Sequence, residues 1–202
     1  MTTFQVLGWI GNACFFSRFL VQWALSERAR KSLTPAVFWR LSLLGTVCLG
    51  LYSSDQGKYV LLVGYVLNGA IYVRNLWMQR RQGARTLTPG AAALLALLAL
   101  AALVVGALTN LRTDPDASAA WVAVAGVGQA IWSSRFVVQW WHSERAGESH
   151  FPPVFWWLSL AGNGLLLAYA LHLGDPIFIA GFVPGPIVQV RNLMLQRRAV
   201  AH

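Results

Sequence analysis

The stretch SRFLVQWALSER at residues 17–28 returns as SRFVVQWWHSER at residues 134–145, 117 positions later. The same offset aligns the flanking sequence without a gap, so that Pro35 meets Pro152. Within residues 17–45, 19 of 29 positions match their counterparts, and the matches include Arg, Gln, Glu, Ser, Pro and Trp. Apolar composition alone does not produce such identity, so the sequence indicates a tandem duplication.

The composition is typical of a membrane protein. Of 202 residues, 56% are hydrophobic and 11% are charged, against roughly 25% charged in a typical soluble domain. The mean hydropathy is +0.52. A soluble protein of this length could not bury so much apolar surface, so we expect an integral membrane protein with almost no soluble part. The apolar start of the chain is interpreted as a first span and not as a removable signal peptide.

Seven apolar segments have about the length that a helix needs to cross the hydrocarbon core, roughly 20 residues. Backbone polar groups in lipid must be hydrogen-bonded within the segment, so each segment is predicted to be a helix. The segments are residues 4–25, 35–53, 59–79, 89–108, 121–142, 153–172 and 176–194.

The loop charges predict an orientation. The formal net charge is +9, and the basic residues lie mainly in the loops of one side of the predicted membrane. Nine stand on that side, against two on the other, Lys58 and Arg112. The nine are Arg28, Arg30, Lys31, Arg80, Arg81, Arg85, Arg145, Arg197 and Arg198. By the positive-inside rule the amino terminus is periplasmic and the carboxyl terminus cytoplasmic, in a bacterial inner membrane. The rule explains the charge better than nucleic-acid binding does.

The duplication and the orientation together predict an all-α fold of three, one and three spans. The first triple-helix repeat is residues 1–81, a linker with the fourth span is residues 82–120, and the second repeat is residues 121–202. Both SER loops are expected on the cytoplasmic side, so the fourth segment must carry the chain back across the membrane. Parallel repeats of this kind are related by an axis along the membrane normal.

Signatures of an enzyme are missing from the sequence. All seven acidic residues lie in or beside loops, so no carboxylate pair is expected inside the membrane. The four histidines show no metal-ligand spacing with cysteine or acid. Cys14 and Cys48 are interpreted as buried free thiols. We therefore expect no catalytic residue, no metal and no cofactor.

Arginines inside the spans are the main functional candidates. Arg18 lies about 12 Å inside the expected boundary at 1.5 Å per residue, and Arg135 is its repeat counterpart. An arginine near the bilayer centre costs roughly 3 kcal/mol on insertion scales. Gln22 and Gln139 stand one helical turn further on, on the same face as each arginine. The predicted substrate-binding set is Arg18, Gln22, Arg74, Asn75, Arg135, Gln139, Arg191 and Asn192.

Three explanations for these arginines remain open. Their side chains could extend to the cytoplasmic headgroups. They could pair internally with Glu27 or Glu144, brought by a neighbouring helix. They could form an anion site that faces inward, because guanidinium suits bidentate contact with phosphate. The third explanation leads to the functional hypothesis.

Tryptophan is abundant, with ten residues. An interfacial aromatic belt accounts for most of them. Trp39 and Trp156 follow the same Phe in both repeats. We include both in the predicted substrate-binding set, as ring platforms for a sugar, with the belt as the alternative.

The third span of each repeat differs between the halves. Residues 67–69 of the first copy are Leu-Asn-Gly, and their counterparts are Pro184, Gly185 and Pro186. The sequence predicts a hinge or a tolerated kink at these three residues. Asn163, whose counterpart is Thr46, is a predicted polar point nearer the middle of the membrane.

The repeated pattern RF..QW..SE, followed by S..P..FW..S..G and later by RN…QRR, resembles the lipid A biosynthesis N-terminal domain family. The chain resembles two such domains in tandem, with no synthase portion. The resemblance implies membership of the SWEET, PQ-loop and KDEL-receptor superfamily, which is built from triple-helix repeats around a linker helix. It also implies an association with glycosyltransferases that act on polyprenyl-phosphate sugars and lipid A.

The leading functional hypothesis is a transporter, or flippase, for an anionic glycolipid such as an undecaprenyl-phosphate-linked sugar. The sugar-phosphate detail comes from the resemblance. Two alternatives stay open: a SWEET-like facilitator for a small solute, and a non-transporting scaffold for a glycosyltransferase. Expected partners are therefore the anionic lipid, membrane lipids and a glycosyltransferase, but no nucleic acid.

Overall fold

A computed structural model describes residues 1–29, 35–80, 89–114, 117–146 and 152–200. These residues form eight helices and no strand, which confirms the predicted all-α fold. The helices are α1 (Thr3–Ala29), α2 (Ala36–Asp55), α3 (Tyr59–Arg80), α4 (Pro89–Thr113), α5 (Ala119–Ala146), α6 (Pro153–Leu173), α7 (Pro176–Phe182) and α8 (Pro184–Val200). Four of the nine basic loop residues, Arg30, Lys31, Arg81 and Arg85, lie outside the described residues.

The helices have the properties of membrane spans. Five stretches of the described chain are long and apolar enough to cross a bilayer. They are Thr3–Gln22, Ala36–Asp55, Tyr59–Leu76, Pro153–Leu173 and Pro176–Met194. Many large apolar side chains, such as Phe16 and Val66, lie exposed on these helices, as expected for surfaces that face lipid. The membrane character is confirmed, and the count of seven spans stays a prediction.

The chain divides into two compact units, Met1–Thr113 and Asp114–His202. In the first unit α2 packs between α1 and α3, and α4, from the predicted linker, packs against α3. In the second unit α6 packs against α5, α7 and α8. The second helix of each repeat is therefore the central element of its unit.

Prolines begin the helices in the same way in both repeats. Pro35 precedes α2 with φ −69° and ψ 157°, and Pro152 precedes α6 with φ −68° and ψ 159°. Asp175 caps α7, since its carboxylate accepts hydrogen bonds from the backbone N–H groups of Ile177 (2.8 Å) and Phe178 (3.2 Å). These local signals fix the helix starts.

Glycines let the first two helices of each repeat approach closely. A Cβ atom on Gly45 of α2 would lie 3.0 Å from the carbonyl oxygen of Gly11 on α1. In the second unit a Cβ on Gly162 would lie 2.7 Å from the backbone nitrogen of Trp132. Small residues at such crossings are typical of membrane helices, where close packing takes the place of hydrophobic burial.

The seventh predicted span is divided at Val183, which separates α7 from α8. Val183 keeps helical backbone angles (φ −57°, ψ −43°), so hydrogen bonding is interrupted without a loop. Pro186 has no N–H to offer the carbonyl of Phe182 four residues earlier. The side-chain Nδ2 of Asn163 donates to that carbonyl instead, at 2.8 Å. The helix is interrupted next to these prolines, and the hinge predicted there stays a prediction.

Gly185 leaves the space in which the Asn163 side chain reaches the Phe182 carbonyl. A Cβ atom at Gly185 would lie 2.8 Å from both amide heteroatoms of Asn163. In the first unit the corresponding pair is Thr46 and Asn68, and α3 runs through that position without interruption. The asparagine thus stands on the third helix in the first repeat and on the second helix in the second repeat, where the prolines also occur.

Replacement of Asn163 by alanine should destabilise the second unit by about 1–3 kcal/mol, because the buried Phe182 carbonyl loses its partner. Pro186→Ala restores a backbone N–H to that carbonyl, so Asn163→Ala should cost less in the Pro186→Ala background. Thermal unfolding of the four proteins in detergent measures this coupling. Thr46→Ala is the matched control, because the Thr46 hydroxyl has no hydrogen-bond partner among the described residues. Additive effects at Asn163 and Pro186 would contradict the assignment.

Candidate anion site

Arg18 projects from α1 into the interior of the first unit. Its side chain is 8% exposed. One terminal nitrogen, Nη1, donates to Ser42 Oγ on α2 at 3.0 Å and to Tyr72 Oη on α3 at 3.2 Å. The guanidinium therefore joins the three helices of the first repeat, and its position is fixed by hydroxyl groups.

Ser42 is oriented to accept from the arginine. Its hydroxyl donates its own proton to the carbonyl oxygen of Phe38, one helical turn earlier, at 2.6 Å. The oxygen lone pairs are then left to face Arg18. A serine hydroxyl that bonds back to its own helix loses its rotational freedom, so the acceptor is held in place before the arginine meets it.

Aromatic rings surround the same guanidinium. The central carbon of Arg18 lies 4.4 Å from the ring centre of Phe15, 4.8 Å from that of Phe19 and 5.3 Å from that of Phe38. Ring faces attract a cation, and they do so more strongly where water is excluded. Among the described side chains no carboxylate pairs with Arg18, and its buried Nε has no hydrogen-bond partner. The group thus keeps donor capacity for an anion.

The second unit repeats this arrangement around Arg135, which is 4% exposed. Its guanidinium carbon lies 3.4 Å from the Trp132 ring centre, 4.6 Å from that of Phe136 and 5.8 Å from that of Phe155. These three residues are the repeat counterparts of the three phenylalanines around Arg18. We call Arg18 with its rings and hydroxyls the first guanidinium pocket, and Arg135 with its three rings the second.

The burial of Arg18 and Arg135 tests the explanations that the sequence left open for these two residues. Both guanidinium groups lie among the helices of their own unit, and the Arg18 group bonds to Ser42 and Tyr72. Extension to the membrane surface is therefore not the conformation of the Arg18 side chain. The side chains of Glu27 and Glu144, proposed as internal partners, lie outside the described residues.

The other predicted site residues are less enclosed. Arg74 is half-buried and makes its own contacts, and Arg191 is exposed. Asn192 donates through Nδ2 to the carbonyl of Val188 in its own helix at 2.7 Å. Asn75, Gln22 and Gln139 are half-buried. Of the four predicted arginines, two are buried within their units.

The two predicted sugar platforms differ. Trp39 is 5% exposed, and its ring packs against Phe38 (5.0 Å between centres) and Tyr72 (5.8 Å). It therefore supports the Tyr72 hydroxyl that Arg18 contacts. Trp156 is half-buried beside Phe155 (5.1 Å), so part of its ring is accessible. A role in sugar stacking stays a prediction for both.

The lipid A biosynthesis N-terminal domain family matches residues 7–77 and, a second time, residues 124–194. The two matched regions cover more than half of the chain, and each contains one guanidinium pocket. The chain belongs to this family. The match confirms the tandem repeat of the family domain.

Curated relatives are similar along almost the whole chain. Lipid-A-disaccharide synthase of Chlamydia pneumoniae is 30% identical over 200 residues, which cover 94% of this chain and 33% of that protein. The synthase of Chlamydia trachomatis serovar D (strain ATCC VR-885) is 29% identical over 205 residues, which cover 95% and 34%. The chain thus spans about a third of the length of these relatives. No solved structure matches.

Sequence reasoning missed most of the residues that line the pockets of this family member. Phe19, Phe38 and Ser42 are identical in both domains, and this repeated identity was the available signal. Tyr72 gave no such signal, because its counterpart is Gln189. Within the described residues no group of three or more His, Cys, Asp or Glu side chains could hold a metal ion.

Proposed function

We propose that this protein is a membrane transporter that moves an anionic glycolipid between leaflets, with a polyprenyl-phosphate-linked sugar of lipid A or cell-envelope modification as its cargo. The observation that carries the proposal is the first guanidinium pocket, a buried cation without a described carboxylate partner. Membership of the lipid A biosynthesis N-terminal domain family supports the link to the lipid A pathway. We assign the chain no catalytic role.

The chemistry of the pockets suits a phosphate. A buried arginine costs several kcal/mol unless its charge is compensated, and aromatic rings compensate it only in part. A phosphate supplies the missing charge and can accept two parallel N–H bonds from one guanidinium. The lipid chain would remain in the bilayer, against the exposed apolar faces of the helices, while the sugar contacts the polar groups near the arginines.

The break at Val183 is the element of the protein that we expect to move during transport. Discontinuous helices near a binding site are common in transporters that work by rocking of one bundle against another. The charge bias of the loops supports an inner-membrane orientation with the amino terminus periplasmic and the carboxyl terminus cytoplasmic. Accessibility labelling that finds both ends on one side would contradict it.

The direct test is lipid translocation in reconstituted vesicles. The purified protein should move undecaprenyl phosphate carrying a hexose from one leaflet to the other, measured by protection of the sugar from a reagent added outside. Arg18→Met with Arg135→Met should abolish movement without preventing folding. Protein-free vesicles give the background, and an established flippase shows that the assay works. Movement no faster than background would overturn the proposal.

A second candidate is a non-transporting scaffold that holds a glycosyltransferase at the membrane. It is favoured by the relatives named lipid-A-disaccharide synthase, in which the similar region is about a third of the protein. Co-purification of a glycosyltransferase, together with no lipid movement, would favour this candidate. Uptake of a small soluble sugar would favour the SWEET-like facilitator.

A further inference from the structure

The two units differ at one buried position that is equivalent in the two copies of the family domain. In the first unit the position is Tyr72 on α3, whose hydroxyl accepts a hydrogen bond from Arg18 at 3.2 Å. In the second unit the counterpart is Gln189 on α8. The other residues around the arginines are conserved in character between the units, since Phe19 and Phe136, for example, are both phenylalanine.

Gln189 is a buried residue whose side-chain oxygen lacks a hydrogen-bond partner among the described residues. The residue is 5% exposed, and Oε1 has no hydrogen-bond partner in the part of the chain that the structure describes. Buried polar atoms in folded proteins almost always have a partner, so each exception requires an explanation. An amide oxygen accepts a hydrogen bond and repels phosphate, so its partner must be a donor such as a hydroxyl.

The exchange of Tyr for Gln also changes the available space. A glutamine side chain is shorter than a tyrosine, so it reaches less far from its own helix. On the other side Trp132 takes the place of Phe15, and its ring lies 3.4 Å from the guanidinium carbon. An indole stacked on a guanidinium covers its face, while the N–H donors lie in the guanidinium plane. In the second unit the arginine is thus stacked on an indole ring.

The position of Gln189 on α8 connects it with the broken helix. It lies three residues after Pro186, and at the break Asn163 of α6 lies beside Gly185 and donates to the Phe182 carbonyl. The first unit has no counterpart of this break. A polar group bound beside Gln189 would therefore contact α8, the helix that follows the break.

We propose that the second unit recognises the sugar of the cargo, and that Gln189 Oε1 accepts a hydrogen bond from a carbohydrate hydroxyl next to the phosphate held by Arg135. This inference rests on the proposed function and assigns the carbohydrate contact within it. The first unit has a tyrosine hydroxyl at this position, which accepts a hydrogen bond from Arg18, and we assign it no carbohydrate contact. The protein then distinguishes a glycosylated lipid from the bare phosphate lipid, because only the former meets the buried oxygen.

The test compares two probes in detergent, undecaprenyl phosphate and the same lipid carrying one neutral hexose. The wild-type protein should prefer the hexose form. Gln189→Leu, which is similar in size but cannot hydrogen-bond, should lower that preference about fivefold, equivalent to about 1 kcal/mol. Its affinity for undecaprenyl phosphate should change by less than about twofold. Gln189→Met is the second variant, in case the branched leucine disturbs packing.

Tyr72→Phe is the matched control, because it removes the hydroxyl at the equivalent position of the first unit. It should change the affinity for both lipids by the same factor, so the preference stays as in the wild type. A preference unchanged in both Gln189 variants, or lowered by Tyr72→Phe instead, would overturn the inference and leave the transporter proposal standing. A wild-type protein that binds neither lipid would overturn both.

Discussion

Gly162→Ala should lower the stability of the second unit by about 1–3 kcal/mol, the usual cost of overpacking. The new methyl group would lie 2.7 Å from the backbone nitrogen of Trp132 and 2.9 Å from its Cα. Neither atom can rotate away, so α5 and α6 must separate. For a chain of this size the midpoint of thermal unfolding should fall by roughly 2–12 °C. Circular dichroism in detergent measures the shift.

Gly164→Ala is the matched control, because it lies on the same helix and has no neighbouring atom within 4 Å of a Cβ. It should be neutral or slightly stabilising, since alanine favours helix over glycine. Gly45→Ala, at the equivalent crossing in the first unit, should cost less than Gly162→Ala because its closest contact is 3.0 Å. Equal stability of the Gly162 and Gly164 variants would contradict this helix crossing.

Arg18→Lys combined with Arg135→Lys should weaken the binding of undecaprenyl phosphate at least about tenfold, although both positive charges are kept. Lysine lacks the planar fork that grips a phosphate through two bonds. A hydrogen bond to a charged group contributes about 1.5–3 kcal/mol, and 1.4 kcal/mol corresponds to tenfold. In the first unit, lysine also has no flat face to lie among three phenylalanine rings. Binding is measured by titration of the lipid into the purified protein.

Arg40→Lys is the matched control for the arginine variants, because it makes the same change on an exposed part of α2. Its affinity should equal that of the wild type. The single variants separate the two pockets, and each should lose part of the affinity. Wild-type affinity in the double variant would make both arginines structural residues, and would favour the scaffold over the transporter.

Some features of this protein followed from the sequence alone. The tandem repeat, the membrane character and the all-α fold depend on local signals: the 117-residue offset, apolar runs of span length, and prolines at helix starts. The break at Pro184 and Pro186 is equally local, because a proline removes a backbone donor wherever it stands. Arg18 and Arg135 were identifiable because a charge inside an apolar run is conspicuous.

The surroundings of those arginines were decided by tertiary structure. Ser42 and Tyr72 are 24 and 54 residues from Arg18 along the chain, and no periodicity connects residues on three different helices. The pairing of Asn163 with the Phe182 carbonyl likewise depends on how closely α6 approaches α8, which Gly185 permits. A sequence shows which side chains are costly to bury in a membrane. Only the packing of the helices determines which groups, brought together from distant positions, compensate that cost.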